Sequence, residues 1–151
     1  MHNHFEHYAQ KGEEFLNHLA FRLGDKSNKN KAMRVLRSVF HVLRQRLTPE
    51  ESMQMIAQLP MALKGLYVDG WKIHHKKSNM KTIEQFAMEV VIADREAAWG
   101  DFYGEEEVFV AIRAVLETLA DYVSPDEIED MIKVMPADLK QVMEAWTMRF
   151  K

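Results

Sequence analysis

The chain has 151 residues, of which 47% are hydrophobic and 28% charged, and its net charge is −3. That is the balance of one ordinary globular domain, so a disordered chain is excluded. It contains no cysteine, which rules out disulfides, thiolate catalysis and thiolate metal sites.

The N-terminal run Met1-His2-Asn3-His4-Phe5-Glu6-His7 lacks the basic-then-apolar order of a signal peptide. No stretch approaches the roughly 18 apolar residues of a membrane span. A soluble, cytoplasmic protein with no membrane contact is therefore expected. Phe5, Tyr8, Phe15, Leu16, Leu19 and Leu23 supply the apolar face of a first helix. Gly24 through Asn30 is a polar loop. A helix of roughly residues 30–46 follows. Its wide apolar arc holds Ala32, Val35, Leu36, Val39, Phe40, Val42 and Leu43, while Arg34, Arg37, His41 and Arg44 recur on the complementary stripe.

Thr48-Pro49-Glu50-Glu51 reads as a capping box with proline in the first helical turn. The short helix after it carries Met53, Ile56, Ala57 and Leu59, and Pro60 ends it. Leu63, Leu66 and Tyr67 belong to the next helix, which closes on Gly65-Leu66-Tyr67-Val68-Asp69-Gly70-Trp71. Lys72 to Lys81 is a linker. Ile83, Phe86, Val90, Val91, Ala93 and Ala97 then open a second series, followed by an aromatic loop, Trp99 to Gly104. Val108, Ile112, Val115, Leu116, Leu119, Tyr122 and Val123 repeat the wide arc. Ser124-Pro125-Asp126-Glu127 repeats the capping box, and Pro136 repeats the stop. No sustained alternation signals a strand.

The second series is a copy of the first. Residues 33–68 and 109–144 align without a gap at an offset of 76, with identities such as Arg37/Arg113, Leu43/Leu119, Pro49/Pro125, Glu51/Glu127 and Pro60/Pro136. The expected fold is all-α: one domain over residues 1–151, with tandem helical repeats at about 1–71 and 80–150 sharing one core. Charge divides unevenly between the copies. Residues 1–81 hold 14 Lys and Arg against 7 Asp and Glu; residues 82–151 hold 6 against 16. Either the basic half binds an anionic partner, or the two halves attract each other.

The segment from Arg34 to Leu47, followed by Thr48-Pro49-Glu50-Glu51 and by Gln58-Leu59-Pro60 through Gly70-Trp71, resembles the DUF2267 family of bacterial domains. The second copy, with Ser124-Pro125 and Met135-Pro136, resembles that family's second half. The resemblance implies a duplicated all-helical fold, grouped with globin-like topologies. It implies no activity, ligand or catalytic residue. The chain departs from the family pattern at the end of the second copy, where Trp146 falls one residue early relative to Trp71 and no Gly-Trp pair is present.

No chemical motif competes with this reading. His2, His4 and His7 cluster near the N-terminus and His74-His75 sits in the linker, but a metal site needs three or four ligands in fixed geometry. His18 and Glu14 share a helical face without the Glu-x-x-His spacing of a carboxylate metal site. His41 lies on the basic stripe rather than in an apolar haem pocket. The serines stand in no nucleophile turn, and the glycines form no phosphate loop. Glu105-Glu106-Glu107 suits a helix start. From Arg22 to Arg46 there are eight Lys and Arg and one acid, Asp25, a stripe able to neutralise phosphates. Met53, Met131, Met135 and Met143, at helical spacing, are expected in the core. Tyr67 and Trp71 are either core plugs or surface anchors.

A non-enzymatic module that binds another protein or itself is the expected function. Its candidate interaction surface is Arg34, Arg37, His41, Arg44, Tyr67 and Trp71, and no cofactor is expected. Nucleic-acid or phosphate binding through the basic stripe is the alternative. Tag-free protein treated with chelator is expected to keep its helicity and melting temperature, and the native preparation to show no haem absorption band. A fall of many degrees on chelation, or such a band, would overturn that expectation.

Overall fold

The computed structural model of the protein describes residues 4–73 and 77–147, and their regular structure is entirely helical. His2, His74, His75 and Lys76 lie outside the described residues. Helix α1 runs His4–Arg22 and α2 runs Lys29–Arg46, its first turn capped by the Asn28 side chain, which accepts from the Lys31 N–H at 3.0 Å. Short helices α3 (Pro49–Ile56) and α4 (Met61–Val68) follow. Helix α5 spans Ile83–Asp94 and is capped by Thr82. A 3-10 turn, Arg95–Ala97, leads into the single-turn helix α6, Ala98–Asp101. Helices α7 (Glu105–Leu119), α8 (Pro125–Lys133) and α9 (Ala137–Thr147) complete the bundle.

Pro49 opens α3 and Pro125 opens α8, as the capping signals predict. The two caps are not built alike. At α3 the box is complete: Thr48 Oγ1 accepts from the Glu51 N–H at 3.2 Å, and Glu51 Oε1 accepts from the Thr48 N–H at 2.8 Å. At α8 only half of it forms. Ser124 Oγ accepts from the Glu127 N–H, but the Ser124 N–H donates at 2.9 Å to Oε1 of Gln58, from the turn after α3. Helices α3 and α8 pack together, so Gln58 reaches the α8 cap and takes the place that Glu127 would fill. The Gln58 amide nitrogen then donates to Glu127 at 3.3 Å.

One contiguous cluster of buried apolar side chains runs from Phe15 on α1 to Met143 on α9. Helix α2 crosses its middle, contacting α1, α3, α4, α5 and α7. The methionines divide. Met131, Met135 and Met143 are buried, whereas Met53, expected in the core, is 56% exposed and Met55 is buried instead. Helix α3 packs against α2 and α8, and position 53 falls on the face that neither covers. The acidic run Glu105-Glu106-Glu107 lies in the first turn of α7, where the helix dipole favours negative charge.

Oppositely charged groups of the two halves meet within the molecule. Arg22 at the end of α1 donates to Asp121 at 2.8 Å and to Thr118 at 3.1 Å. On the same seam, the His18 ring nitrogen and the Tyr122 hydroxyl lie 2.9 Å apart. Asp121 is exposed and Arg22 half-buried, so water still screens their ion pair, which contributes about 1 kcal/mol or less.

Helices α1 and α4 approach at Gly12. A Cβ at that position would lie 2.9 Å from the Ala62 Cβ, closer than two carbons can pack. Helix propensity alone favours alanine over glycine by roughly 1 kcal/mol. The clash reverses the sign: Gly12→Ala is expected to lower unfolding free energy by about 1–2 kcal/mol, with Ala62→Gly in the same chain restoring part of it. Denaturant titration of both checks this, and a Gly12→Ala protein more stable than wild type would contradict the close approach.

Candidate functional site

The basic stripe is mostly occupied by structural work. Arg34 meets Asp101 side-on: Nε donates to Oδ2 at 3.0 Å and Nη2 to Oδ1 at 2.7 Å. The hydrogen bonds to Asp101 raise the Arg34 pKa further despite partial burial. Arg44 is buried, and its Nη1 donates to the carbonyl oxygens of Tyr67 at 2.8 Å and Asp69 at 2.6 Å. It therefore serves the last carbonyls of α4, which α4 cannot satisfy itself. Burial pulls its pKa down, against the pull of Tyr67 and Asp69. His41 is half-buried, and its Nε2 makes no hydrogen bond. Desolvation, then the charges of Arg44 and Arg37, push it down to about 4, so it is neutral at pH 7. Of the four stripe residues in the candidate surface, Arg37 alone is exposed.

Tyr67 and Trp71 fall on the core side of the choice. Tyr67 has no exposed surface, which removes it from any interaction surface. Its ring packs on Phe40 at 5.1 Å, and its hydroxyl lies 2.7 Å from Ser52 Oγ. Burial lifts its pKa to about 12. Trp71 stands edge-on to Tyr67 at 5.9 Å and is partly buried, with its indole N–H unpaired among the described residues. The physical reason is α2. It is covered by α4 where Arg44 emerges, so Arg44, Tyr67 and Trp71 close over each other instead of facing water.

The exposed apolar surface lies elsewhere. An open groove of about 480 Å³ runs between α5 and the segment from Ala98 to Val108. Ala98 and Phe102 form part of its buried wall, with Val91 partly covered beside them. Trp99 and Tyr103, both 90% exposed, and Met88, 66% exposed, line it as well. Glu84 and Glu105 add acidic groups to the lining and Arg95 a basic one. The sequence signal was present in the aromatic loop. What it lacked was the position of α5, whose Met88 and Val91, with Arg95 just after it, turn the loop into one side of a groove.

Beneath this segment sits a buried polar cluster. Asp94 ends α5 and is 7% exposed; Asp101 ends α6 and is 3% exposed. The Asp94 carboxyl lies against that of Asp101 and beside Ser38 of α2, and its Oδ2 is buried without a donor. Burial first, then the hydrogen bond and charge of Asp101, push Asp94 up to about 7. Burial also pushes Asp101 up, but the hydrogen bonds from Arg34 and Asp94 and the guanidinium charge outweigh it, and its carboxyl sits below the usual range. Two buried carboxyls beside one guanidinium thus separate into an ionised and a proton-holding partner.

The family model described as uncharacterized conserved protein, DUF2267, matches residues 12–142, and the chain belongs to that family. No curated protein matches it. Among the described residues no group of three or more His, Asp or Glu is placed to hold a metal ion, and no helix is long and apolar enough to cross a membrane.

Asp94 and His41 act on stability with opposite sign. The folded value of Asp94 is raised, so its contribution is complete below about pH 4 and is lost as pH rises to about 7. The folded value of His41 is lowered, so stability is lost as pH falls from about 6.5 to about 4. The two partly cancel in the wild type. Asp94→Asn is expected to leave stability rising with pH between about 4 and 6.5, and His41→Gln to leave it falling between about 4 and 7, each by on the order of 1–3 kcal/mol. Denaturant titrations across that range check the pair of slopes; variants that merely parallel wild type would show that neither group carries the linkage.

Proposed function

We propose that this member of the DUF2267 family is a non-enzymatic protein-interaction module whose docking surface is the groove between α5 and the segment from Ala98 to Val108. The observation that carries this reading is the pair Trp99 and Tyr103, each 90% exposed and each lining the groove. Large aromatic side chains are the residues whose burial gives most to a contact, at roughly 25 cal/mol per Å² of apolar area removed from water. Met88 supplies an adaptable surface beside them.

Charge selects the partner. Glu84 and Glu105 line the groove, Glu96 is exposed next to Arg95, and the half of the chain that builds the groove holds 16 acids against 6 bases. The occupant that fits is an amphipathic helix on a partner protein, with apolar anchors on one face and lysine or arginine flanking them. The stripe on α2 is a weaker candidate for nucleic acid, because Arg34 and Arg44 are engaged inside the protein.

A synthetic amphipathic helix of leucine and lysine, titrated against the full chain, tests the reading. Binding is expected to weaken at least about tenfold on Trp99→Ala with Tyr103→Ala, a loss of about 1.4 kcal/mol or more. Binding is also expected to weaken on Glu84→Lys with Glu105→Lys, and the same helix with glutamate for lysine is expected not to bind. Peptide binding indifferent to these changes would overturn the assignment of the groove. So would self-association lost on Trp99→Ala, which would make a second copy the occupant. Duplex DNA bound more tightly than roughly one micromolar at about 150 mM salt would favour the nucleic-acid reading instead.

A further inference from the structure

Helix α5 does not end by an ordinary cap. Asp94 is its last residue, and Arg95 follows with φ 57° and ψ −133°. A non-glycine residue there stores strain of order 1–3 kcal/mol, which only surrounding contacts can hold in place. The chain then makes the 3-10 turn and the single turn of α6, and Asp101 at its end is gripped side-on by Arg34. Everything between the strained residue and the gripped one forms a short flap, and Trp99 sits on it. Phe102 and Tyr103 continue directly from the gripped end, with the Tyr103 N–H held by Glu107 at 2.7 Å. Arg95 itself lines the groove.

We propose that Asp94, Asp101 and Arg34 form a proton-operated latch that clamps the segment from Arg95 to Gly104 onto α2 and so sets the aromatic wall of the groove. The chemistry is a count of charges and donors. With one proton on the carboxyl pair, Asp94 donates to Asp101, Asp101 accepts both arms of Arg34, and the buried cluster is neutral. Without that proton, two carboxylates face one guanidinium in a site that water scarcely reaches, and the Asp94 oxygen that already lacks a donor gains a charge. Like-charge repulsion then acts between the end of α5 and the end of α6, across the strained Arg95. The cheapest relief is to swing α6 outward and let Arg95 relax.

The groups acting on the pair are few. From α2 come Arg34, Ser38 and, against Asp101, Lys31. His41 also lies on α2, where it feels the charge of Arg95, but it stays neutral down to about pH 4 and does not compete near neutrality. The proton affinity of Asp94, pushed to about 7, places the change in the neutral range. Control of docking by the latch rests on the groove reading above; the latch itself does not.

The test therefore uses no partner. The 151-residue chain, labelled with 13C and 15N, is followed by NMR from about pH 5.5 to about 8.5. The Asp94 side-chain carboxyl carbon is expected to titrate with a midpoint of about 7. The Trp99 indole N–H and the backbone amides of residues 96–103 are expected to follow the same midpoint, with heteronuclear NOEs falling above it. In Asp94→Asn, whose amide donates to Asp101 at every pH, those signals are expected to stay at their low-pH wild-type positions. An Asp94 carboxyl that titrates in the ordinary carboxylate range would overturn the proposal. So would flap signals that stay still while Asp94 titrates, or a midpoint that survives in Asp94→Asn. The wild-type titration decides the first two even if the variant fails to fold. A working latch with no binding of the leucine-lysine helix would sink the docking reading alone.

Discussion

Helix α2 is contacted by five other helices, and the polar groups that they cover must be answered inside the molecule. An amphipathic surface helix can leave all its arginines in water; on α2 Arg37 stays there, while Arg34 and Arg44 do not. Arg34 is met by Asp101 from α6, Arg44 by two carbonyls at the end of α4, and the Ser38 hydroxyl by the Arg34 carbonyl at 2.9 Å. His41 is met by nothing and stays neutral. These answers tie parts of both copies to one helix. The position of α6 and the closure of α4 follow from them.

The two copies answered their burial differently. Arg44, Ser52 and Tyr67 form a polar knot beneath Trp71; the residues aligned with them, Ala120, Ile128 and Met143, are apolar or small. Gln58, which completes the α8 cap, aligns with Val134, which offers no amide in return. The first copy thus gained rigidity through hydrogen bonds to backbone. The second half instead buries two carboxyls, Asp94 and Asp101, at the ends of α5 and α6. Part of the charge difference is spent inside the molecule, at Arg34–Asp101 and Arg22–Asp121, and two further acids, Glu84 and Glu105, line the groove.

The groove arises from how α5 ends. Between α1 and α2 the chain needs only a short polar loop, turned at Gly24 with φ 85°. Between α5 and α7 it inserts a strained residue, a 3-10 turn and one helical turn, which touch α5 and leave an open groove beside it. Their outer face carries aromatic side chains with nothing over them. Their inner face carries two carboxyls that one arginine must hold. The proposed docking wall and the proposed protonation-sensitive attachment share ten residues of chain.

What could be read from the sequence was what short-range physics encodes. Helix starts at Pro49 and Pro125, stops before Pro60 and Pro136, the wide apolar arcs and the family itself depend on spacing and on contacts a few residues apart. The interaction surface did not. Arg34, Arg44 and Tyr67 sit where a surface stripe and a surface anchor would sit if α2 and α4 each met water, and Met53 sits where a core residue would. Which of them is covered depends on partners 15 to 67 residues away: Tyr67 for Ser52, Asp69 and Tyr67 for Arg44, Asp101 for Arg34. The pairing of Asp94 with Asp101 and the groove beside it have the same origin, because only the packing of α5 and α6 against α2 buries two like charges together. Periodicity in the chain determines which face of a helix is apolar; only the tertiary structure decides which polar residues that face must take inside with it.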